Sequence, residues 1–361
     1  MPLAPFTTLE VGGEARFFLE ARDRAAVIEA LAWASARALP VVVLGGGSNL
    51  LVADRGVDAL VLRIRIAGVE VNKEGDRVIV RSGAGEPWDA LCARAVQAGW
   101  AGIECLSGIP GDVGATPIQN VGAYGQEVAE TITEVVALDR SSGREVVLDH
   151  AACGFAYRDS VFKREGQGRY VVVAVTFALH ADGAPTVRYP ELRRAIEAGA
   201  GGTASGPTLA QVRAAVIALR RGKSMVLDPA DENRRSAGSF FTNPMIAVEH
   251  LERVRARVAG AGVLALGEAM PEFPASLGRV KLSAAWLIER AGFVRGTADG
   301  AVGISTRHTL AIVNRGGATA AAVLAFARRV RDRVEDRFGV ALTPEPVLLG
   351  FTPGEIAGLQ G

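Results

Sequence analysis

Val41-Val42-Val43-Leu44-Gly45-Gly46-Gly47-Ser48-Asn49 is a β-branched run that empties into three glycines and two small polar residues. The run reads as a buried strand, and the glycines as a tight loop after it. Two nucleotide-binding folds use such a junction, and the spacing excludes both. With Gly45 and Gly47 as the first two glycines of a dinucleotide fingerprint, the third falls at Leu50. The next segment, Leu50-Leu51-Val52-Ala53-Asp54, opens no clear helix, and no Lys-Ser/Thr pair follows as a P-loop requires. Two readings remain: an ordinary strand-turn, or a loop whose bare N–H groups close on a pyrophosphate with Ser48 and Asn49 as neutral donors.

Outward from this loop, the chain mixes strands and helices in irregular order. A helix opens near Asp23 ahead of it. Behind it, Val57 to Ile66 and Val69 to Arg81 alternate as strands, and Pro87 starts a helix that Gly99 stops. Strands return at Glu134–Leu138, Glu145–Leu148 and Tyr170–Leu179. Thr208 with Gln211 forms a capping box for a helix that Gly222 stops. Further helices span Ala247–Ala259 and Ser283–Ala291. Leu264–Leu277 is linker, and Thr309–Val313 is a strand. A long amphipathic helix carries Val323 to Phe338, and the extended tail Val340–Gly350 holds Pro344-Glu345-Pro346. This order predicts an α+β class rather than strict βαβ alternation. The small residues Gly199–Gly206 suggest a domain boundary.

At 361 residues the chain is long enough for two or three domains. Nearly half of it is apolar, and a net charge of +1 with interleaved signs gives no field for nucleic acid or an anionic membrane. The start, Met1-Pro2-Leu3-Ala4-Pro5, has neither a basic region nor an apolar one, and no apolar run reaches membrane-span length. Cys92, Cys105 and Cys153 lack metal-type spacing and read as core fillers in a reduced, cytoplasmic protein. No metal site is expected. Lysine is scarce: Lys73, Lys163, Lys223 and Lys281 are the four among forty basic residues.

Four further segments can carry chemistry. Gly108 to Gly125 holds five glycines and two prolines with no clear period, a backbone rich in unpaired N–H groups. It suits a flat polar ring with a diphosphate tail, or it is a rigid Ω-like loop. Arg158 beside Asp159 reads on type alone as a surface ion pair, and Ser239 in Gly-Ser-Phe-Phe as a turn serine. Glu345 is held extended by the prolines on either side of it.

Together these segments resemble the UDP-N-acetylenolpyruvoylglucosamine reductase family. The resemblance runs nearly end to end, through LGGGSNLL, GIPGDVGATPIQNVGAYG, YRDSVFK, AGSFFTNP, KLSAAWLIERAG and LTPEPVLLG in that order. It implies a three-domain flavoprotein: residues 1–67, joined by the returning tail 341–361, and residues 68–206 form an FAD-binding module of the vanillyl-alcohol-oxidase/PCMH-like type. Residues 207–340 form an α+β substrate domain.

The resemblance also implies FAD held non-covalently, at Gly45, Gly46, Gly47, Ser48, Asn49 and Leu50 for the pyrophosphate. Ile109, Pro110, Gly111, Ala115, Thr116, Ile118, Gln119 and Gly122 then line the flavin. It implies that hydride passes from NADPH through FAD to the enolpyruvyl group of UDP-N-acetylglucosamine enolpyruvate, as a cytoplasmic step of peptidoglycan-precursor synthesis by a monomer. The family's catalytic residues correspond to Arg158, Ser239 and Glu345. Its substrate-diphosphate residues correspond to Tyr189, Lys223 and Asn243, and Tyr189 in Tyr-Pro-Glu-Leu matches the type I branch. Lys223 precedes Ser239 by a longer spacer than in some members. A related flavoenzyme acting on hydroxy acids or alcohols is the nearest alternative, and a non-catalytic nucleotide-binding protein the next. His150, His180, His250 and His308 all lie outside the two glycine-rich loops, which disfavours covalent flavin.

Overall fold

The computed structural model describes residues 1–199, 206–275 and 278–359. The chain divides into two compact units, each assembled from separate stretches. The sheet unit comprises Arg16–Gly46 and Asp58–Leu227, and the C-terminal unit Met1–Ala15, Gly47–Val57 and Asp228–Gly361.

The sheet unit is built on antiparallel strands in the order Arg144–Asp149, Ile132–Asp139, Tyr170–Ala181, Arg77–Gly83, Val69–Glu74. Trp100–Ala101 pairs with the end of Tyr170–Ala181. That central strand carries no face for water along Val171–Phe177, so its β-branched residues run without alternation. The stretch Val69–Arg81, expected as strands, folds as a hairpin because Gly75 at φ 65° turns it. A smaller sheet orders Ala15–Ala21, Val57–Ile64 and Val41–Leu44, the last two parallel with Leu44 opposite Arg63. Asp23 caps the helix Arg24–Ser35 through the Ala26 N–H. Trp88 and Phe177, both fully buried, meet at 5.8 Å in a continuous core.

In the C-terminal unit the helix Ala320–Phe338 buries Val323, Ala327, Val330, Val334 and Phe338, a stripe at helical spacing, against Phe240, Leu287 and Ile288. Gly339 ends it at φ 71°. The tail expected to be extended forms the strand Val347–Leu349, which runs parallel to Leu50–Val52.

Most expected elements are present within two residues of their bounds. The strand expected at Thr309–Val313 is shorter and later, Ile312–Asn314, since Ala311 N–H bonds His308 O in a turn. The strand Ala15–Ala21 and the helix Pro190–Gly199 carry weak sequence signals; the helix buries only Leu192 and Ile196. Of the linker read over Leu264–Leu277, Glu272–Pro274 is a strand, and residues 276–277 lie outside those described. The boundary read at Gly199–Gly206 also falls largely on residues outside those described. The helix Leu209–Gly222, expected to open the substrate domain, sits in the sheet unit. Its Val212 and Val216 pack with Cys105, Leu192 and Ile196, and the units divide at Leu227/Asp228.

Candidate active site

In the sheet unit, the strand Val41–Leu44 delivers Gly45 and Gly46 against a second glycine turn. A Cβ on Gly46 would stand 2.8 Å from the Cα of Gly111, so only bare backbone fits. Gly111 itself is at φ 121°. The Gly111 turn is fixed from behind: Trp88 N–H bonds Gly111 O at 3.0 Å, and Val113 N–H bonds Glu86 O at 2.8 Å. The N–H groups of Gly46, Gly111 and Asp112 donate to no backbone oxygen among the described residues. Asp112 is 5% exposed, and its Oδ2 has no hydrogen-bond partner.

The rest of the loop is held by its own polar groups. Thr116, expected to face a cofactor, is buried and spends its hydroxyl on Val113 O at 2.8 Å. Ile118 is an exposed apolar side chain, and its carbonyl accepts from the Ser160 hydroxyl. Asn120, in the left-handed region at φ 45°, ties three strands of the loop together. Its amide bonds Glu127, Ala156 O and the Ala129 N–H.

Arg158 sits on the tip of a tight turn at φ 53°, closed by the Ala156–Asp159 bridge. A non-glycine residue there costs about 1–3 kcal/mol, which the surroundings must supply. Lys163 Nζ bonds Arg158 O at 2.9 Å from below. The guanidinium reaches the Gly108–Gly125 loop, donating to Gly122 O at 2.6 Å and Asn120 O at 3.3 Å. Asp159 pairs with Arg164 at 2.5 Å.

Three further side chains form a cluster. Lys223 Nζ lies 5.7 Å from the ring centre of Tyr124, and Tyr124 meets the expected substrate residue Tyr189 edge-on at 5.8 Å. Glu191 pairs with Lys223 at 2.7 Å. Burial pushes the Tyr124 hydroxyl up to about 12. Tyr124 and Glu191 were not singled out from the sequence; Tyr124 at φ 50° inside a Gly-rich run is the signal that marks it.

In the C-terminal unit, the remaining candidates converge through backbone. Gly47 is at φ 64°, and a Cβ there would overlap Phe6 O. Asn49 Nδ2 donates to Glu345 O at 3.2 Å, and Val347 N–H bonds Asn49 O at 2.9 Å. Glu345 N–H in turn bonds Phe240 O at 2.9 Å. Ser239, half-buried, therefore lies on the chain beside half-buried Glu345, both anchored by the fully buried Phe240 and Phe241. Asn243 Oδ1 accepts from the Ala284 N–H at 3.0 Å, so its carbonyl helps close the start of the helix Ala284–Arg290. Each unit thus gathers its own candidates: Gly45, Gly46, the Gly108–Gly125 loop, Arg158, Tyr189 and Lys223 in one, and Gly47, Ser48, Asn49, Leu50, Ser239, Asn243 and Glu345 in the other.

Two family models match the chain: an FAD binding domain over residues 15–149, and the UDP-N-acetylenolpyruvoylglucosamine reductase C-terminal domain over residues 228–349. The reductase of Thermobifida fusca is 49% identical over 98% of both chains. That of Streptomyces coelicolor is 50% identical over 97% of this chain and 89% of its own. The chain belongs to the UDP-N-acetylenolpyruvoylglucosamine reductase family. The crystal structure of the reductase from Thermus caldophilus superposes with a TM-score of 0.63 at 27% identity, covering 97% of each chain.

The start of the reductase C-terminal model at residue 228 coincides with the division between the units. FAD fits what the FAD-binding match covers. The loop at Gly45–Gly46 and the turn at Gly111–Asp112 offer unpaired N–H groups and a surface that any Cβ would fill, which suits a phosphate. Exposed Ile118 offers an apolar edge suited to a ring system. A cavity of about 510 Å³ in the sheet unit, lined by His150, His180, Arg77 and their neighbours, shares no residue with these loops. It is open and half polar, so the loop chemistry carries the site and the cavity does not. Among the described residues no three His, Cys, Asp or Glu side chains are grouped to hold a metal, and no helix is long and apolar enough to cross a membrane.

Proposed function

We propose that this chain reduces UDP-N-acetylglucosamine enolpyruvate to UDP-N-acetylmuramate with electrons from NADPH, in peptidoglycan-precursor synthesis. The observation that carries the reading is the likeness to the Thermobifida fusca reductase across 98% of both chains. In this reading FAD, held by residues 45–50 and the Gly108–Gly125 loop, supplies the hydride that NADPH renews and the terminal enolpyruvyl carbon receives. The substrate domain is the segment from Asp228 to Val340.

The side chains supply what the cofactor lacks. Negative charge develops on the carbon beside the attacked one and on its carboxylate. Arg158 stabilises it as a fixed cation, supported by the bonds that aim its guanidinium along the flavin loop. Glu345, as a neutral acid, donates to the same carboxylate, and Ser239 delivers the proton to the carbon. Supporting this division of roles is the backbone bond between Glu345 and Phe240, which sets Ser239 and Glu345 on neighbouring stretches of chain beside the Phe241–Pro344 bridge. Lys223, Tyr189 and Asn243 hold the diphosphate with a point charge, a hydroxyl and an amide.

The test is direct. The purified protein should be yellow, lose its flavin on acid precipitation, and reoxidise after NADPH reduction when UDP-N-acetylglucosamine enolpyruvate is added. A colourless preparation that takes up no FAD, or reduced flavin that ignores the enolpyruvyl substrate, would refute the reading.

A further inference from the structure

Asp112 is the one candidate-loop carboxylate whose chemistry the proposed reaction leaves unused. It is 5% exposed, and its Oδ2 has no hydrogen-bond donor beside it. A buried carboxyl oxygen without a hydrogen-bond partner is costly, so such a group is retained only where something answers it. Arg65 does not: its Nη1 stands 4.0 Å from Oδ2, beyond hydrogen-bond reach. The carboxyl faces the glycine loop instead. Oδ2 lies 3.7 Å from the point that a Gly45 Cβ would occupy, on the side where Gly46 and Gly111 touch.

The charges around Asp112 are Arg65 and Arg63, from the end of Val57–Ile64 and just beyond it, and Glu86, from the turn before Trp88. Burial pushes the carboxyl up, Glu86 adds to this, and the two arginines oppose it without reversing it. A diphosphate in the loop would act in the same direction as Glu86. An ionised carboxylate would repel that diphosphate, whereas a neutral acid offers it an O–H donor.

We infer that Asp112 is a further FAD-binding residue, whose neutral carboxyl donates a hydrogen bond from Oδ2 to the cofactor's diphosphate. This rests on the proposal that Gly45–Asn49 is the pyrophosphate loop. It makes FAD binding take up a proton. No titrating group of the diphosphate competes, since its two acidic protons are lost far below neutrality.

The experiment is a titration of the full chain, stripped of flavin, with FAD from about pH 6 to about pH 9, read by quenching of flavin fluorescence. The Kd of the natural protein rises with pH, approaching about tenfold per unit where one proton is taken up. Asp112→Asn keeps an N–H donor that does not titrate; its Kd is flat across the range. Asp112→Ala has no donor, and its Kd is about tenfold or more weaker than that of Asp112→Asn at every pH, the scale of a hydrogen bond to a charged group. Thermal unfolding of the two variants separates lost binding from lost folding. Tight FAD binding with a flat profile in the natural protein overturns the inference and leaves the flavoprotein reading intact. So does Asp112→Asn binding as poorly as Asp112→Ala, which would mark Asp112 as an acceptor from a cofactor hydroxyl. No FAD uptake at any pH defeats the flavoprotein reading itself.

Discussion

In the proposed reaction Ser239 is the proton donor. An alcohol is a weak acid, but a carbon bearing enolate charge is a strong base. Ser239→Ala should therefore slow the flavin-to-substrate half-reaction by about 10²–10⁴, the range for loss of a general acid, while reduction of the flavin by NADPH keeps its rate. Stopped-flow traces of the two halves check this, and equal losses in both would remove Ser239 from the acid role. Glu268, in the C-terminal unit, makes a second prediction that concerns stability alone. Its carboxylate accepts from the Ala265 N–H, Trp286 Nε1 and Arg290, and these donors hold it near 2, below the ordinary 4.5. A depressed folded value means that the stabilisation is complete above about 4.5 and is lost as pH falls toward about 2. Melting temperature should therefore drop across that window, and Glu268→Gln should flatten the drop there while lowering the melting temperature at neutral pH.

Single elements show why some of the site was legible and some was not. The capping box at Thr208 and Gln211, the stop at Gly222 and the apolar spacing between them are local signals, and the helix Leu209–Gly222 follows them. The Gly108–Gly125 loop stands out as a candidate site because glycines and prolines without a period are a local signal too. Its internal bonding does not: Thr116 turns back on Val113 within the loop, and Asn120 reaches Glu127 just past it and the distant Ala156, pairings that composition does not specify. The helix Pro190–Gly199 was missed because two buried residues make no period, yet it supplies Glu191, which neutralises Lys223. That pair has a measurable consequence. A diphosphate reaching Lys223 must compete with the Glu191 carboxylate. Glu191→Gln should thus tighten binding of UDP by about two- to fivefold, the worth of a partly exposed ion pair. Calorimetric titration with UDP decides the sign; weaker binding would show that Glu191 orients Lys223 rather than occupying it.

At the scale of the molecule, what the sequence conceals is which distant stretches share a core. Periodicity reports the face an element buries and is silent about the partner; the resemblance implies one discontinuity, the tail 341–361 returning to residues 1–67, whereas both compact units are assembled from separate stretches. The C-terminal unit depends on two short N-terminal stretches. Leu9 and Leu51 are fully buried in its core, with Val11 beside them. Asn314 Nδ2 bonds Leu9 O at 3.0 Å, and the Asp54 carboxylate receives the Ala320 and Ala321 N–H groups at 2.7 and 2.9 Å, closing the start of the long helix. Leu50–Val52 pairs with Val347–Leu349. Each buried leucine is worth about 2–5 kcal/mol when removed to alanine, and the helix cap about 1 kcal/mol. Their loss together approaches the whole stability of an ordinary domain, about 5–15 kcal/mol. A fragment of residues 228–361 should accordingly fail to unfold cooperatively and show collapsed amide dispersion in ¹H–¹⁵N spectra, although the matched family model lies wholly within it. Restoring residues 1–15 and 47–57 through a short linker should recover a sharp transition; a fragment that folds well without them would mean that the residues from Asp228 onward specify their core alone.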